Sequence, residues 1–244
     1  MPGDTHPCLP HRVGVIMLDT RFPRPPGDIG HPATFGGRGL FEVVPGATAK
    51  HAMGQESGLL ASGFLQARDS LVERGAEIIT TSCGFLARHQ PLLQEGCPVP
   101  VVTSSLLQVA DRAAELGPGQ RLGILALDSG GLDRSLLDAV GAPASVVVGG
   151  LEQGGELLRV LRADDPAIGL DPAAAEQDVI AAGEALMRAC PDIGAVVFEC
   201  ANLPPYREAL ARRLRVPVYD IMTLLKEVLG RMVMPGKAVG NASV

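Results

Sequence analysis

Ala76–Phe85 reads AEIITTSCGF and Ile193–Asn202 reads IGAVVFECAN, two segments separated by 117 residues (193 − 76). Each is a short β-branched and apolar run that breaks into a polar residue, a cysteine and a small residue, the pattern of a buried strand ending at a turn. Cys83 and Cys200 occupy the same place in the two segments (200 − 83 = 117). Further along, Val99-Pro100-Val101 recurs as Val216-Pro217-Val218 with the same offset (216 − 99 = 117). Upstream, Val13–Thr20 (VGVIMLDT) matches Leu122–Ser129 (LGILALDS) at an offset of 109 (122 − 13). Buried parallel strands look alike in any α/β protein, so apolar likeness carries little weight. The weight lies in an Asp-(Thr/Ser) and a Cys that recur at strand ends in the same order.

Between these anchors the periodicity alternates. Strands are expected at Val13–Leu18, Phe41–Val44, Glu77–Thr81, Val99–Thr103, Leu122–Leu127, Ser145–Val148, Ile193–Phe198 and Val216–Tyr219. Helices are expected over Gly58–Arg74, with apolar Leu60, Phe64, Ala67 and Leu71, then after Ser82-Cys83-Gly84 to about Leu93 and from Ser104 or Ser105 through Glu115. Others fall at Asp133–Val140, at Pro172–Cys190 behind Asp171 as N-cap, from Pro204 or Pro205, and at about Ile221–Leu229. Thr20–Asp28, with three prolines, is a loop. Alternating strands and helices give an α/β fold. The repeat divides it into two pseudo-twofold-related, Rossmann-like halves, each with a mainly parallel sheet. The first takes in about 12–116 plus a C-terminal segment near 216–230, and the second about 117–215. Such halves would bring their strand ends to opposite walls of one cleft, where ligands bind in open α/β sheets.

Composition narrows the chemistry. The chain has 244 residues, 46% apolar and 20% charged, enough for a substantial core and unlike a disordered segment. A net charge of −6 argues against nucleic acid and anionic membrane as partners. A carboxylate ligand stays compatible with that charge, because a few backbone N–H groups can hold an anion locally. No run approaches the roughly 20 apolar residues of a membrane span, and Val13–Leu18 is too short for a signal peptide. Five cysteines do not form a secreted disulfide pattern, so the expected compartment is a reducing cytoplasm. Aromatic residues are 3% and tryptophan is absent, which disfavours base-stacking surfaces.

Cys83 and Cys200 sit just past predicted strands. A helix N-terminus following each would lower its thiol pKa and let one serve as base while the other remains an acid. The competing reading is that each is a small buried hydrophobe. Cys8, Cys97 and Cys190 have no repeat partner and read as structural or incidental. Asp19 and Asp128 could orient a substrate ammonium or a thiol, or simply cap turns. Ser104 and Ser105 suit a carboxylate or an N-cap equally well. Arg21 and Arg24 suit bidentate pairing with an anion or act as solvated loop charges. His31, His51 and His89 show no metal-ligand spacing, so no metal is expected. Gly36-Gly37-Arg38-Gly39 does not join a strand to a helix as a dinucleotide loop would, and no Walker-type or nucleophile-elbow sequence occurs.

Through Thr80-Thr81-Ser82-Cys83-Gly84, Glu199-Cys200-Ala201-Asn202, the Asp after the first strand and the repeated halves, the chain resembles the aspartate/glutamate/hydantoin racemase superfamily over roughly 12–230. That resemblance implies a pseudo-twofold pair of α/β halves with the active site between them. It implies chemistry without a cofactor, in which one cysteine takes the α-proton and the other delivers a proton to the opposite face. Cys83 and Cys200 would be that pair. Thr81, Ser82, Gly84, Ser104, Ser105, Ala201 and Asn202 would bind the substrate carboxylate; Asp19 and Arg21 remain the candidates read above for a substrate ammonium and an anion. Ala201 stands where many members have threonine, and Thr81-Ser82 where many have Asn-Thr. The stretch from Leu18 to Asp28 also resembles the branch that includes algal dimethylsulfoniopropionate lyases, whereas the superfamily's decarboxylases use a single cysteine in the second half. The leading expectation is a cofactor-independent racemase of a small acidic amino acid or related carboxylate. The alternatives are a β-eliminating lyase using the same two cysteines and a non-catalytic carboxylate-binding protein. A homo-oligomer is the common default.

Overall fold

The computed structural model describes residues 11–48 and 61–233. Cys8, His51 and the expected helix start at 58–60 lie outside the described residues. Eight strands are present among them: β1 Val13–Leu18, β2 Gly39–Val44, β3 Ile78–Thr81, β4 Val101–Val102, β5 Arg121–Ala126, β6 Val147–Gly150, β7 Ile193–Phe198 and β8 Val218–Tyr219. The α-helices are α1 Ala61–Glu73, α2 Gln90–Gln94, α3 Val109–Ala114, α4 Arg134–Ala139, α5 Glu156–Ala163, α6 Pro172–Ala189, α7 Arg207–Leu214 and α8 Ile221–Val233.

The strands form two four-stranded sheets ordered β2-β1-β3-β4 and β6-β5-β7-β8, parallel throughout. The repeat read from the sequence is therefore a repeat of topology, and it extends to register. Val13 pairs with Ile78 and Ile16 with Thr81 in the first sheet; Leu122 pairs with Ala195 and Leu125 with Phe198 in the second. Each second pair is the first advanced by 109 on one strand and 117 on the other. Ile79↔Val101 and Val196↔Val218 agree likewise, both advancing by 117. Cys83 and Cys200 thus leave equivalent strands at equivalent points.

Burial explains why the strands read as continuous apolar runs. All six residues of β1 are buried, because helices cover both faces. Val13, Val15 and Met17 pack with Ile221, Leu225 and Leu229 of α8, while Ile16 and Leu18 face Phe64, Ala67 and Leu71 of α1. The segment near 216–230, assigned from sequence to the first half, is shared. Val218–Tyr219 is the edge strand of the second sheet, and α8 crosses back onto the first.

Several elements differ from expectation. The helix after Cys83 is a 3₁₀ segment, Gly84–His89, followed by the short α2. Val99–Thr103 shrinks to two strand residues, and Ser104 caps a 3₁₀ turn ahead of α3. Helix α5 has no counterpart among the expected elements. Only eight residues long, it follows Gly154-Gly155 and ends at Asp164 in the left-handed region (φ 48°). No helix of the described residues is long and apolar enough to cross a membrane.

Candidate active site

The end of β3 is tied down by side chains that extend the ladder past the strand. The Ser82 N–H donates to the Ile16 carbonyl (3.0 Å), and its hydroxyl accepts from the Leu18 N–H (2.9 Å). The Thr81 hydroxyl donates to the Thr103 carbonyl (2.6 Å), fixing β3 to its neighbour. Cys83 follows with extended backbone (φ −145°) and opens the 3₁₀ segment, so the N–H groups of Phe85 and Leu86 face its sulfur. In the second half the Glu199 N–H donates to the Leu125 carbonyl (2.9 Å), one step beyond β7, and Cys200 comes next.

Both cysteines line one cavity of about 270 Å³ between the halves. Leu18, Phe22, Phe85, Leu127, Leu158 and Leu161 give it apolar walls; Thr20, Arg24, Asp128, Arg162, Glu199 and Asn202 supply polarity. Cys83 is buried and Cys200 half-buried. Burial pushes the Cys83 thiol up to about 12, and the charge of Glu199 adds to that; the Phe85 and Leu86 N–H groups pull against it. Cys200 is also raised well above the ordinary thiol value, again by burial first and then by Glu199. The expected lowering by helix N-termini does not occur. The segment after Cys83 is a 3₁₀ piece rather than a full helix, and an apolar cavity with a buried acid disfavours thiolate. Without a ligand, both are thiols at neutral pH.

Glu199 is absent from the candidates drawn from sequence. It is 2% exposed, and its carboxyl pKa is raised to about 8 by burial and then by the neighbouring Asp128 charge, against one hydrogen bond from the Leu127 N–H. Its Oε2 has no hydrogen-bond partner. A signal was present, since an ionisable residue closing the run IGAVVF is costly to bury unless it is used.

A second array holds Cys200. The Cys200 thiol donates to Asn202 Oδ1 (3.4 Å), and Asn202 Nδ2 donates to Asp28 Oδ2 (2.7 Å). Asp28, 1% exposed, accepts from Arg24 Nη1 (2.9 Å), and Arg24 Nη2 donates to Thr20 Oγ1 (2.9 Å). Arg24 also lies over the Phe22 ring, 4.1 Å from its centroid. The Pro-rich loop is thereby ordered against the second half, and the Asn202 amide is turned so that its oxygen meets a thiol rather than a thiolate.

Of the residues singled out from sequence, Cys83, Cys200, Ser82, Gly84, Asn202, Arg24 and Asp128 line the cavity. The others are placed elsewhere. Asp19 accepts from the Gly46 N–H (3.0 Å) and closes the turn after β2. Arg21 is exposed, and its backbone N–H donates to Asp164 Oδ1 (2.6 Å). Thr81 is spent on the Thr103 carbonyl, and Ala201 packs into the core of the first half. Ser104 caps its 3₁₀ turn through the Leu106 N–H (3.1 Å). The Ser105 hydroxyl donates to the Phe198 carbonyl and lies 3.2 Å from that of Glu199, which bolts the two halves together. Asp128 lines the cavity while accepting from the Gly130 N–H (3.0 Å). Helix α5 supplies Leu158, Leu161 and Arg162 at i, i+3, i+4, one face of a helix laid over the cavity. Among the described residues no group of three or more His, Cys, Asp or Glu could hold a metal ion.

No protein-family model matches the chain. Solved structures share its architecture: a mutant of arylmalonate decarboxylase (TM-score 0.57, 15% identity, 95% of this chain and 96% of that one) and allantoin racemase from Pseudomonas fluorescens (0.55, 19%, 93% and 100%). An aspartate racemase homologue from Pyrococcus horikoshii aligns with TM-score 0.54 at 16% identity over 92% of this chain and all of that one. The chain has the racemase fold. In sequence, the racemase-fold chain is similar to dimethylsulfoniopropionate lyases. Lyase 5 of Emiliania huxleyi is 27% identical over 226 residues, 87% of this chain and 44% of that protein. The lyase of Durusdinium sp. clade D is 28% identical over 229 residues, 90% of this chain and 74% of that protein. The chain thus spans less than half the length of one curated relative and about three quarters of the other. Likeness to both groups is expected from the sequence, and both are found.

Proposed function

We propose that this chain is a cofactor-independent lyase that removes the α-proton of a small carboxylate and expels a sulfonium-type β leaving group. The observation that carries this reading is the pair of thiols from opposite halves on one small, largely apolar cavity with guanidinium groups at its edge. An apolar wall with Phe22 and Phe85 suits a sulfonium, which has no N–H to satisfy, better than it suits an α-ammonium. The sequence likeness to dimethylsulfoniopropionate lyases, over about nine tenths of the chain, points the same way.

The two sulfurs are not equivalent. Cys83 faces the N–H groups of Phe85 and Leu86, so a thiolate is better held there, while Cys200 donates its proton to Asn202. In this reading the Cys83 thiolate takes the α-hydrogen as a proton. The C–H electron pair becomes the Cα=Cβ bond, the Cβ–S bond breaks, and a neutral sulfide leaves an unsaturated carboxylate behind. The sulfide needs no proton, so elimination requires a single base. Arg162, exposed at the mouth with no ion-pair or hydrogen-bond partner among the described residues, is the cation available for the carboxylate, because Arg24 is engaged by Asp28.

Racemisation is the second reading, favoured by thiols that approach the same space from both halves. The test is a panel of β-sulfonio carboxylates and acidic amino acids, followed by sulfide release and by deuterium uptake at Cα from D₂O. Sulfide release from the wild type, lost on Cys83→Ser, supports the lyase. Exchange with retention of the substrate skeleton, lost on either Cys83→Ser or Cys200→Ser, would replace it with the racemase. Ligand binding with neither signal would leave a binding protein.

A further inference from the structure

We infer that Glu199 is the proton acceptor of the site, taking the Cys83 thiol proton so that a thiolate forms only when substrate is to be deprotonated. This rests on the lyase reading for its substrate, but the geometry stands by itself. Ser82 and Glu199 occupy the same place in the repeat (82 + 117 = 199), as do Leu18 and Leu127 (18 + 109 = 127). In the first half the Leu18 N–H donates to the Ser82 hydroxyl at 2.9 Å. In the second the Leu127 N–H hydrogen-bonds to the Glu199 carboxyl. A serine satisfies this backbone group in the first half, so a carboxyl in the second exceeds what the fold requires there. The surplus oxygen, Oε2, is buried, has no partner and belongs to a side chain lining the cavity. Burying an ionisable group in this way is unfavourable unless it is used.

The position suits proton exchange with Cys83. Glu199 is the chain neighbour of Cys200, yet its carboxyl presses against Gly84, the neighbour of Cys83: a Cβ on Gly84 would sit 2.3 Å from Glu199 Oε1. The charged and titratable groups around it are Cys83, Cys200 and Asp128, with Arg24 and Arg162 elsewhere on the cavity wall. In the active form Glu199 is a carboxylate and both cysteines are thiols. A proton passes from Cys83 sulfur to Glu199, and the thiolate takes the α-proton as the leaving group departs. The Glu199 proton then goes to solvent, so turnover releases one proton.

Glu199→Gln and Glu199→Ser test this, the second copying the first half's own solution and so protecting against a folding failure in the first. Two quantities are read across pH 6–10: turnover of the best substrate of the panel, and iodoacetamide labelling of Cys83 without substrate, measured on its peptide. Turnover should fall by about 100-fold or more in both variants, within the usual range for general acid–base groups, and the rise in wild-type activity near pH 8 should vanish. Cys83 labelling above pH 8 should become at least threefold faster, because the carboxylate that opposes a thiolate is gone. Turnover within threefold of wild type, or lost turnover with unchanged labelling, would overturn the assignment. If the wild type turns over nothing in the panel, the lyase reading fails, and labelling alone still decides the role of Glu199.

Discussion

Gly84→Ala puts a methyl group in place of a hydrogen where the first half lies tight against Glu199 of the second. A Cβ there would lie 2.2 Å from the Glu199 carbonyl oxygen, 2.3 Å from Oε1 and 2.8 Å from Cδ. The carboxyl could swing away, but the carbonyl cannot move cheaply. It belongs to the end of β7, held by the Glu199 N–H to the Leu125 carbonyl and by the Ser105 hydroxyl across the seam. Relieving the contact to about 3.4 Å, an ordinary van der Waals separation, means opening the seam by roughly 1.2 Å (3.4 − 2.2). Overpacking of this kind costs about 1–3 kcal/mol, and a backbone obstacle puts it at the upper end. At about 2–4 °C per kcal/mol for a chain of this size, the melting temperature should fall by roughly 6–12 °C.

The functional cost should be larger than the loss of stability suggests. Widening the seam carries Glu199 and Cys200 away from Cys83, and a misplacement of about 1 Å in a catalytic constellation can cost on the order of 100-fold in rate. Calorimetry and single-substrate kinetics on the folded variant would measure both effects. The control is built into the chain: the equivalent residue of the second half is Ala201 (84 + 117 = 201), where a Cβ is accommodated in the core of the first half. A Gly84→Ala protein melting within 2 °C of wild type with more than a tenth of its turnover would show that the halves do not meet at this contact.

Two other outcomes follow from the same geometry. Glu199, with a carboxyl pKa of about 8 when folded against 4.5 as an ordinary glutamate, contributes stability that is full below pH 4.5 and lost as pH rises through 8, on the order of 5 kcal/mol in all. Glu199→Gln should therefore gain stability over wild type between pH 5 and pH 9 in urea melts, and an advantage independent of pH would contradict the burial argument. Asp164→Ala frees the N–H groups of Arg21 and Phe22, which Asp164 Oδ1 holds at 2.6 and 3.1 Å, and so unties the Pro-rich loop from the end of α5. It should cost about 1 kcal/mol and raise KM severalfold with kcat nearly unchanged; an unaltered KM would mean that α5 and the loop do not shape the binding site.

How much of this was legible depends on what each residue's neighbours in sequence reveal. The strands could be read because parallel strands covered on both faces must be apolar throughout, as β1 and β7 are, and because the repeat matched them between the halves. The cysteines could be read because polar residues recurring at strand ends are not required by packing. Helix α5 could not, since the eight residues Glu156–Ala163 fall below the length at which periodicity separates helix from loop. Its apolar positions, Leu157, Leu158, Val160 and Leu161, gain meaning only against a cavity that the sequence does not show. Ser104 and Ser105 stayed ambiguous for a different reason: a hydroxyl looks the same whether it meets a ligand, caps a helix or meets a carbonyl; Ser104 caps its 3₁₀ turn and Ser105 meets the carbonyl of Phe198.

The thiol pKa values went the opposite way from expectation, and the cause lies in how the repeat has diverged. A duplicated scaffold delivers two equivalent strand ends, but opposed acid and base need unequal surroundings. The inequality is written at matched positions: Ser82 against Glu199, Gly84 against Ala201, Phe85 against Asn202. Serine keeps the first strand end neutral, glycine lets the second half's carboxyl lie against it, and phenylalanine dries the cavity beside Cys83. Across from them, glutamate brings the surplus oxygen and asparagine fixes Cys200 as a donor. Each substitution leaves the fold intact, since both sheets keep the same order and register, while together they turn a symmetric pair of sulfurs into an unsymmetric one. Differences confined to the three residues flanking each cysteine are thus enough to give two thiols unlike surroundings, and among them Glu199 is the one ionisable side chain without an ionisable counterpart in the other half.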